Sequence, residues 1–456
     1  MTQTLQGKII GTIGLARSGC AVGSLLRRHG ARVIGLDDAD EAQLRRNWEA
    51  DDLEALAGAA FDEIRTGGGW TDRDLAAVTD VALSPGVPLD HPAVVALRRR
   101  GVPILGELEW AARFFTGTMV AVTGTNGKST TTELVAHLAR ATGWQAEALG
   151  NVGRPLSLVA DQLGPDAMAV IEVSSFQLET ITTFSPAVGV VLNLAPDHLD
   201  RYADLQAYYA AKRRLAVALD HAGTFVTWTG CPEARRWTTR ARVLLFGARQ
   251  EGATVYLEDE QLWIRRPDAP VSLLPVAEVP QRSAPNLLNA LAAVTCLLPW
   301  DPARDALCEG LRSFRGLPHR HELVAQLNGV RFVDDSKATN VAAVAAGLVG
   351  FSDPVVLIAG GRGKGEDYVP LREVMAPVKT VIVIGEESAA IQAALAGCVP
   401  VETATSLAAA VTRAAELARP DGTVLLSPAC ASFDMFRNYH ERGKAFTEAA
   451  FALGAR

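Results

Sequence analysis

The chain is poor in the residues that staple small folds. Its 456 residues hold six cysteines, at 20, 231, 296, 308, 398 and 430, and no C-x-x-C pair. In a chain this long, that scatter excludes a disulfide framework and a zinc knuckle, and predicts reduced, buried thiols in a cytosolic protein. Long apolar runs are missing as well. No segment reaches 18 uninterrupted apolar residues, and the opening MTQTLQGKIIGTIG has no apolar stretch suited to a signal peptide. Membrane insertion is therefore not expected, and the location expected is cytoplasmic. Positive charge is not in excess either: 44 Lys and Arg face 51 Asp and Glu, for a net charge of −7. That excludes bulk electrostatic binding of nucleic acid or an anionic membrane, although not a local basic pocket. Internal repeats at solenoid periods are also lacking.

What is present is an ordinary globular composition, 48% hydrophobic and 21% charged, in a length that suits three domains. The pattern is α/β throughout. Residues 8–13, KIIGTI, read as a buried strand; GLARSG turns into an amphipathic helix over about 21–29; ARVIGLDD is a second strand ending in Asp37 and Asp38. This opening is Rossmann-like but lacks the G-x-G-x-x-G of a dinucleotide site. The strand DVALSPGV ends in Ser84-Pro85-Gly86, a turn that exposes backbone N–H groups. A shift near GVPILGELEW bounds a first domain at 1–106. A central domain over 107–316 holds AVIEVSSFQLE and AVGVVLNLAPDHLDRY, strand-then-loop units of a mostly parallel sheet, with a small β annex expected over 223–278. After FRGLPHRHE the pattern restarts with VRFVDDSKATN, PVVLIAGGRGKG, VKTVIVIGEES and GTVLLSPACASFDMF, a third, Rossmann-like domain over 317–456. The polar signals fall at the carboxyl ends of strands, where open α/β sheets place their ligands.

One stretch carries the strongest chemistry: VAVTGTNGKSTTTELVAHL, 120–138. The common phosphate loop, G-x-x-x-x-G-K-[ST], would need a glycine at 122, where Val122 stands. Gly124 and Gly127 still permit a tight turn around Thr125 and Asn126. Lys128 supplies a point charge for phosphates, and Ser129 or Thr130 offers a hydroxyl to magnesium. A plain polar strand-to-helix turn is the competing explanation, and the four-residue apolar strand before the loop weighs against it. Glu172 ends a neighbouring buried strand, as a hard-cation ligand or a solvated terminus. Asp197, His198 and Asp200 cluster in one loop that suits a metal, a substrate or a structural role. Lys212, on LQAYYAAKRRL, reads from spacing alone as a surface lysine. DDSKATN groups Asp334, Asp335, Ser336, Lys337, Thr339 and Asn340, while GGRGKG puts Arg362 and Lys364 in a cationic loop suited to a carboxylate or phosphate.

In this order GTNGKST, the Glu of EVSSFQLE, DHLDRY, GLPHR, DDSKATN and LSPACASFD resemble the Mur ligases, and DSKATN with SPACAS resembles their D-glutamate-adding branch. The likeness covers almost the whole chain, and the unusual loop spacing is that family's own variant. It implies a UDP-substrate domain, a central P-loop ATPase-type domain and a mobile amino-acid domain. It also implies an ATP-dependent amide ligase of peptidoglycan precursor synthesis, and so a part in cell shape and division. Its substrates would be ATP, UDP-N-acetylmuramoyl-L-alanine and D-glutamate, with two magnesium ions, in a monomer that binds no nucleic acid.

Carried over by position, Lys128 grips the phosphates, Ser129 and Glu172 serve one magnesium, and His198 stands near a second. Lys212 occupies the position of a lysine carbamylated in the family, which would turn a cation into an anionic ligand. Asn289, Arg320 and Asp335 match ATP contacts, together with the loop from Gly124 to Thr130. Lys337, Thr339, Lys364, Ser432 and Phe433 match the glutamate pocket or its neighbours. Leu15, Ala16, Arg17, Asp37 and Ser84-Pro85-Gly86 match the uridine-diphosphate site, and Asn151 a contact to the sugar-peptide. Two departures stand out: Pro285-Asn286 replaces a frequent His-Asn, and Tyr439 replaces a common phenylalanine. The rival readings are a superfamily ligase with another acceptor, a phosphotransferase or switch-type NTPase, and a dinucleotide-dependent oxidoreductase. The DSKATN loop argues against a folate ligase, the third domain against a simple NTPase, and the missing glycine fingerprint against the oxidoreductase.

Overall fold

The computed structural model describes residues 4–151, 153–199, 201–349, 351 and 353–456; Asp200 therefore lies outside the described residues. Three sheets follow one another along the chain. The first contains β1 (Ile9–Ile13), β2 (Arg32–Asp37), β3 (Glu63–Thr66), β4 (Asp80–Leu83) and β5 (Ile104–Gly106), all parallel, in the order β3-β2-β1-β4-β5. The order reverses between β1 and β4, and the crevice at such a switch point is where a doubly wound sheet takes a ligand.

The second sheet has nine strands: β6 (Thr118–Thr123), β7 (Gln145–Gly150), β8 (Ala167–Glu172), β9 (Val188–Val191), β10 (Thr224–Trp228), β11 (Arg242–Gly247), β12 (Val255–Glu258), β13 (Gln261–Ile264) and β14 (Val271–Pro275). Their order is β14-β13-β12-β11-β10-β9-β6-β8-β7. The expected annex over 223–278 is built onto this sheet: β10 to β12 continue it in parallel, and β13 and β14 close its edge antiparallel. β8 is buried at all six positions, Glu172 included, because helices cover both faces of a parallel sheet. The third sheet runs β15 (Glu322–Leu327), β16 (Val330–Asp334), β20 (Thr423–Leu426), β17 (Val355–Gly360), β18 (Val378–Ile384) and β19 (Val401–Thr403), parallel except for β15.

Local differences from the sequence reading have physical causes. The first helix begins at Arg17 and ends at Arg28, not over 21–29. Gly14 alone makes the turn, at φ 84°, and Gly19 sits inside the helix so close to the Gly14 carbonyl that a Cβ there would lie 1.9 Å from its oxygen. Five cysteines are buried as expected, but Cys398 is exposed, because it follows the end of the helix Ser388–Leu395. Among the described residues no helix is long and apolar enough to cross a membrane.

The cores divide unevenly. One apolar cluster runs from Leu5, Leu25 and Phe61 of the first sheet's layer through Trp110 and Phe114 to Ile171, Leu178 and Leu215 of the second. Glu109, fully buried, rivets this joint by accepting the N–H groups of Thr182, Thr183 and Phe184. The third sheet keeps its two clusters to itself, among residues 325–455.

Candidate active site

The loop 124–127 lies between β6 and the helix Lys128–Ala141, which starts with no side-chain cap. Gly127 makes the bend at φ 85°, and a Cβ there would stand 2.4 Å from Asn289 Oδ1. Asn193, at the end of β9, holds the loop: its carbonyl accepts from Thr125 N at 3.0 Å and its side chain accepts from Asn126 N at 2.8 Å. The first N–H groups of the helix have no partner within the helix, which makes this end an anion cradle.

Two lysines enter the same loop. Lys128 Nζ donates to the carbonyls of Gly124 and Thr125 at 3.0 and 2.8 Å, and Lys212 Nζ donates to Gly124 at 2.8 Å. Lys212, read from spacing as a surface residue, is 1% exposed. Burial, and then the charge of Lys128, push its ammonium far below the usual lysine range. Burial also lowers Lys128, against the pull of Glu172 and Asp197. Glu172, 2% exposed, accepts from the Ser129 hydroxyl on one oxygen and from Asn151 Nδ2 at 3.0 Å on the other. His198 adopts a left-handed backbone at φ 56°, pinned by its own N–H on Asp197 Oδ1 at 2.9 Å. Burial pushes its imidazole below the usual range, so the ring is neutral near pH 7.

The third sheet completes the pocket with side chains that cross the joint. Arg320 Nη2 donates to Ser129 Oγ at 2.7 Å. Asn340 Nδ2 donates to Asn126 Oδ1 at 3.1 Å and Asp197 Oδ2 at 3.3 Å. Lys364 Nζ lies 3.3 Å from Asp197 Oδ1 and 3.5 Å from Thr339 Oγ1. Burial raises the Asp197 carboxyl, but Lys364, His198 and Lys128 outweigh it and hold it below the carboxylate range. Lys337 lies 3.9 Å over the Tyr439 ring, its ammonium lowered to about 8 by burial and then by Arg320. The result is a pocket of about 360 Å³ in which Lys128, Lys212, Lys337, Lys364 and Arg320 face Glu172, Asp197 and His198. Beside it, apolar side chains of the two sheets leave a cavity of about 380 Å³, walled by Trp228, Phe246, Pro285, Leu288 and Val349 and reaching Asn289.

With this geometry in view, comparison with known proteins is decisive. Residues 122–297 match the Mur ligase middle domain, and residues 319–430 match the Mur ligase glutamate ligase domain. UDP-N-acetylmuramoylalanine–D-glutamate ligase of Anaeromyxobacter dehalogenans is 42% identical over 98% of this chain and 98% of its own length. The same-named protein of Acidobacterium capsulatum is 38% identical over 98% and 97%. The chain belongs to the Mur ligase family. A pseudomurein peptide ligase type C from Methanothermus fervidus shares the fold, with a TM-score of 0.61 at 15% identity over 98% of this chain and 100% of its own.

Against that family's pattern, the residues of the first sheet gather as a group of their own. Leu15, Ala16 and Arg17 follow β1, Asp37 ends β2, and Ser84 follows β4, with Ser84 N donating to Ile13 O at 3.0 Å. The Asp37 carboxylate accepts the N–H groups of Leu15 at 2.8 Å and Ala39 at 3.0 Å, so it shapes the Mur ligase turn from within. Asp335 is placed likewise, accepting from His321 N at 3.2 Å and Ser427 Oγ at 3.0 Å, and burial raises its carboxyl to about 7. Ser432 is buried, but the Phe433 ring is 64% exposed, and neither lines the central pocket. Several residues escaped the sequence reading: Ser174, Ser175, Phe176 and Tyr208 line the central pocket, and Asn193 the apolar cavity beside it. Asn193 reads as an ordinary strand end, and Tyr208, whose hydroxyl lies 3.2 Å from Thr125 Oγ1, reads as a helix aromatic. Its place four residues before Lys212, on the same helix face, was the signal available.

Proposed function

We propose that the chain joins D-glutamate to UDP-N-acetylmuramoyl-L-alanine, with ATP cleaved to ADP and phosphate. The observation that carries the reading is the pocket where five basic side chains from two sheets meet two carboxylates and a neutral histidine. A carboxylate is a poor acyl donor and a phosphate is an anion. A site that brings the two together must neutralise charge as it moves.

On this reading the first sheet holds the uridine diphosphate at Leu15–Arg17, Asp37 and the Ser84–Gly86 turn. The loop 124–130 and Lys128 hold the β- and γ-phosphates, and Asn289 and the apolar cavity take the base. The alanyl carboxylate attacks the γ-phosphorus, ADP leaves, and an acyl phosphate remains. Lys337, Thr339 and Lys364 hold the carboxylates of D-glutamate, whose amine attacks the acyl carbon. Phosphate leaves and a proton is lost as the amide forms. The oxygens of Glu172 and Ser129 and the neutral ring of His198 fit magnesium, which would supply charge neutralisation at the phosphates. Burial lowers the proton affinity of the Lys212 amine, which suits it to carbamylation, and that would make it an anionic ligand in the same group. The self-contained cores of the third sheet support a domain that moves onto the others with ligand.

The test is phosphate release from ATP with magnesium and UDP-N-acetylmuramoyl-L-alanine, comparing D-glutamate, L-glutamate, meso-diaminopimelate and no acceptor. Release with D-glutamate alone is expected; release with another acceptor would reassign the third-sheet pocket. Lys128→Ala should lower release at least ~10³-fold while UDP-substrate affinity, measured by calorimetry, stays nearly unchanged. A variant that keeps its turnover removes the loop from the mechanism.

A further inference from the structure

The first and second sheets also meet through a polar contact that neither the phosphate loop nor the substrate turn explains. Arg201 extends from the loop after β9 to the turn after β4. Its Nη1 donates to the Pro85 carbonyl at 3.1 Å and lies 3.5 Å from that of Gly86. Its Nη2 donates to Glu179 Oε2 at 3.2 Å, and its guanidinium lies 4.1 Å over the Phe176 ring. Both charges of the Arg201–Glu179 pair are largely shielded, at 20% and 15% side-chain exposure, so the pair is screened less than a surface one.

Each contact has a directional consequence. A trans peptide points its C=O and N–H to opposite sides. Pinning the Pro85 carbonyl to Arg201 therefore turns the Gly86 N–H the other way. The Val87 N–H is bound back to Ser84 O at 3.0 Å, so the turn keeps one shape. On its other side, Arg201 caps a chain of rings. Phe176 meets His198 edge-on at 4.9 Å, His198 meets Tyr208 at 6.0 Å, and Tyr208 bonds Thr125 of the phosphate loop and carries the Lys212 ammonium 4.7 Å over its face.

We propose that Arg201 is a positioning residue that fixes the substrate-diphosphate turn and, through Phe176, sets His198 and Tyr208 in the transfer pocket. Occupancy of the first sheet and readiness of the second are thereby coupled through one guanidinium. The inference rests on the ligase reading for its substrate, and the test is chosen to separate the two.

Arg201→Lys keeps the charge without the fork, and Arg201→Met keeps only the stem. Calorimetry reads the affinity for UDP alone; phosphate release reads KM for UDP-N-acetylmuramoyl-L-alanine, KM for ATP and kcat. Arg201→Lys should weaken UDP and raise KM for the UDP-substrate about tenfold, the size of one charge-assisted hydrogen bond. At saturation kcat should fall roughly threefold to tenfold, with KM for ATP within about twofold and Tm unchanged. Arg201→Met should do more of the same. If it does not fold, Glu179→Gln, which frees the other side of the guanidinium, should show a weaker form of that split. UDP affinity within about twofold of the parent in Arg201→Lys overturns the proposal, and so does weakened UDP binding with kcat intact. A parent that binds UDP but releases no phosphate with any acceptor refutes the ligase reading, while the variants' UDP affinities still decide the role of Arg201. A parent that does not bind UDP overturns both.

Discussion

The molecule has two joints, and they are built from different materials. Between the first and second sheets the contact is apolar and continuous, with Trp110 and Phe114 packed into a cluster that both sheets share and Glu109 bonded to three backbone N–H groups. Between the second and third sheets the contacts are single polar side chains: Arg320 on Ser129, Asn340 on Asn126 and Lys364 on Asp197. Where apolar groups of those two sheets do face each other, they leave a cavity instead of packing. An apolar joint is held by buried area and does not open without cost. A polar one exchanges its bonds for water or ligand at little net change. Apart from the Arg201 contact to the turn after β4, the first joint therefore behaves as structure and the second as part of the chemistry.

The sharpest way to break this distinction is to remove a side chain from each. Lys364→Ala deletes a charge from the polar joint that the proposed acceptor carboxylate would also use. Losing such a paired charge removes about 2–5 kcal/mol of binding, so kcat/KM for D-glutamate should fall roughly 30-fold to several thousand-fold. Thermal stability and UDP-substrate affinity should stay as they are. A comparable fall in Tm would mean that the second joint is structural after all. Trp110→Ala deletes a ring that is 2% exposed and whose Nε1 donates to Val81 O at 3.0 Å. It should destabilise the fold by about 3–5 kcal/mol, read as a drop in Tm. Loss of activity without loss of stability in that variant would contradict the first joint's role.

The comparison also predicts motion. Small-angle scattering with an ATP analogue and UDP-N-acetylmuramoyl-L-alanine should show a change in the radius of gyration of about 1 Å, carried by the third sheet alone. Curves that do not change on adding ligand would tie the third sheet to the rest.

How much of this was legible in the sequence follows from the same division. Lys128, Arg320, Lys337 and Lys364 reach the pocket with long side chains from the segments that flank strands, and such residues stand out in GTNGKST, GLPHR, DDSKATN and GGRGKG. Groups that act by shaping backbone are quieter. Asp37 was matched to the uridine-diphosphate site as a ligand contact, and the structure adds that its carboxylate accepts the Leu15 and Ala39 N–H groups. The apolar joint was invisible, because Leu25, Trp110, Leu178 and Leu215 come together only when the chain folds. Lys212 shows the limit of judging by residue type: a helix lysine is expected at the surface, yet this one shares the buried face of Tyr208, Ala211, Leu215 and Ala216 and donates to the Gly124 carbonyl. The nine-stranded sheet was under-read for a related reason. Strands β10 to β14 are short and turn-rich, and nothing local says which edge they will join.

The smallest effect lies on the third sheet's side of the polar joint, and it is a pH dependence. Burial raises the Asp335 carboxyl to about 7, so the folded chain keeps a proton there that the unfolded chain releases near 4. Glu366, whose carboxylate accepts from Val341 N at 2.9 Å, is raised to about 7 by burial in the same way. Between these limits the folded state binds more protons than the unfolded, so stability falls as the pH rises. The contribution is complete below about pH 4 and is lost as the pH passes through 7. Asp335→Asn keeps an oxygen to accept from His321 N but cannot ionise. Its stability should therefore fall less than the parent's between pH 5 and pH 8, by a difference of about 2–3 kcal/mol read from the denaturation midpoint. Bound nucleotide should narrow that difference, because the same carboxyl is proposed to face it. Equal slopes in parent and variant would mean that Asp335 is ionised in the folded chain, with the charge of Arg320 on the same side of the joint outweighing its burial.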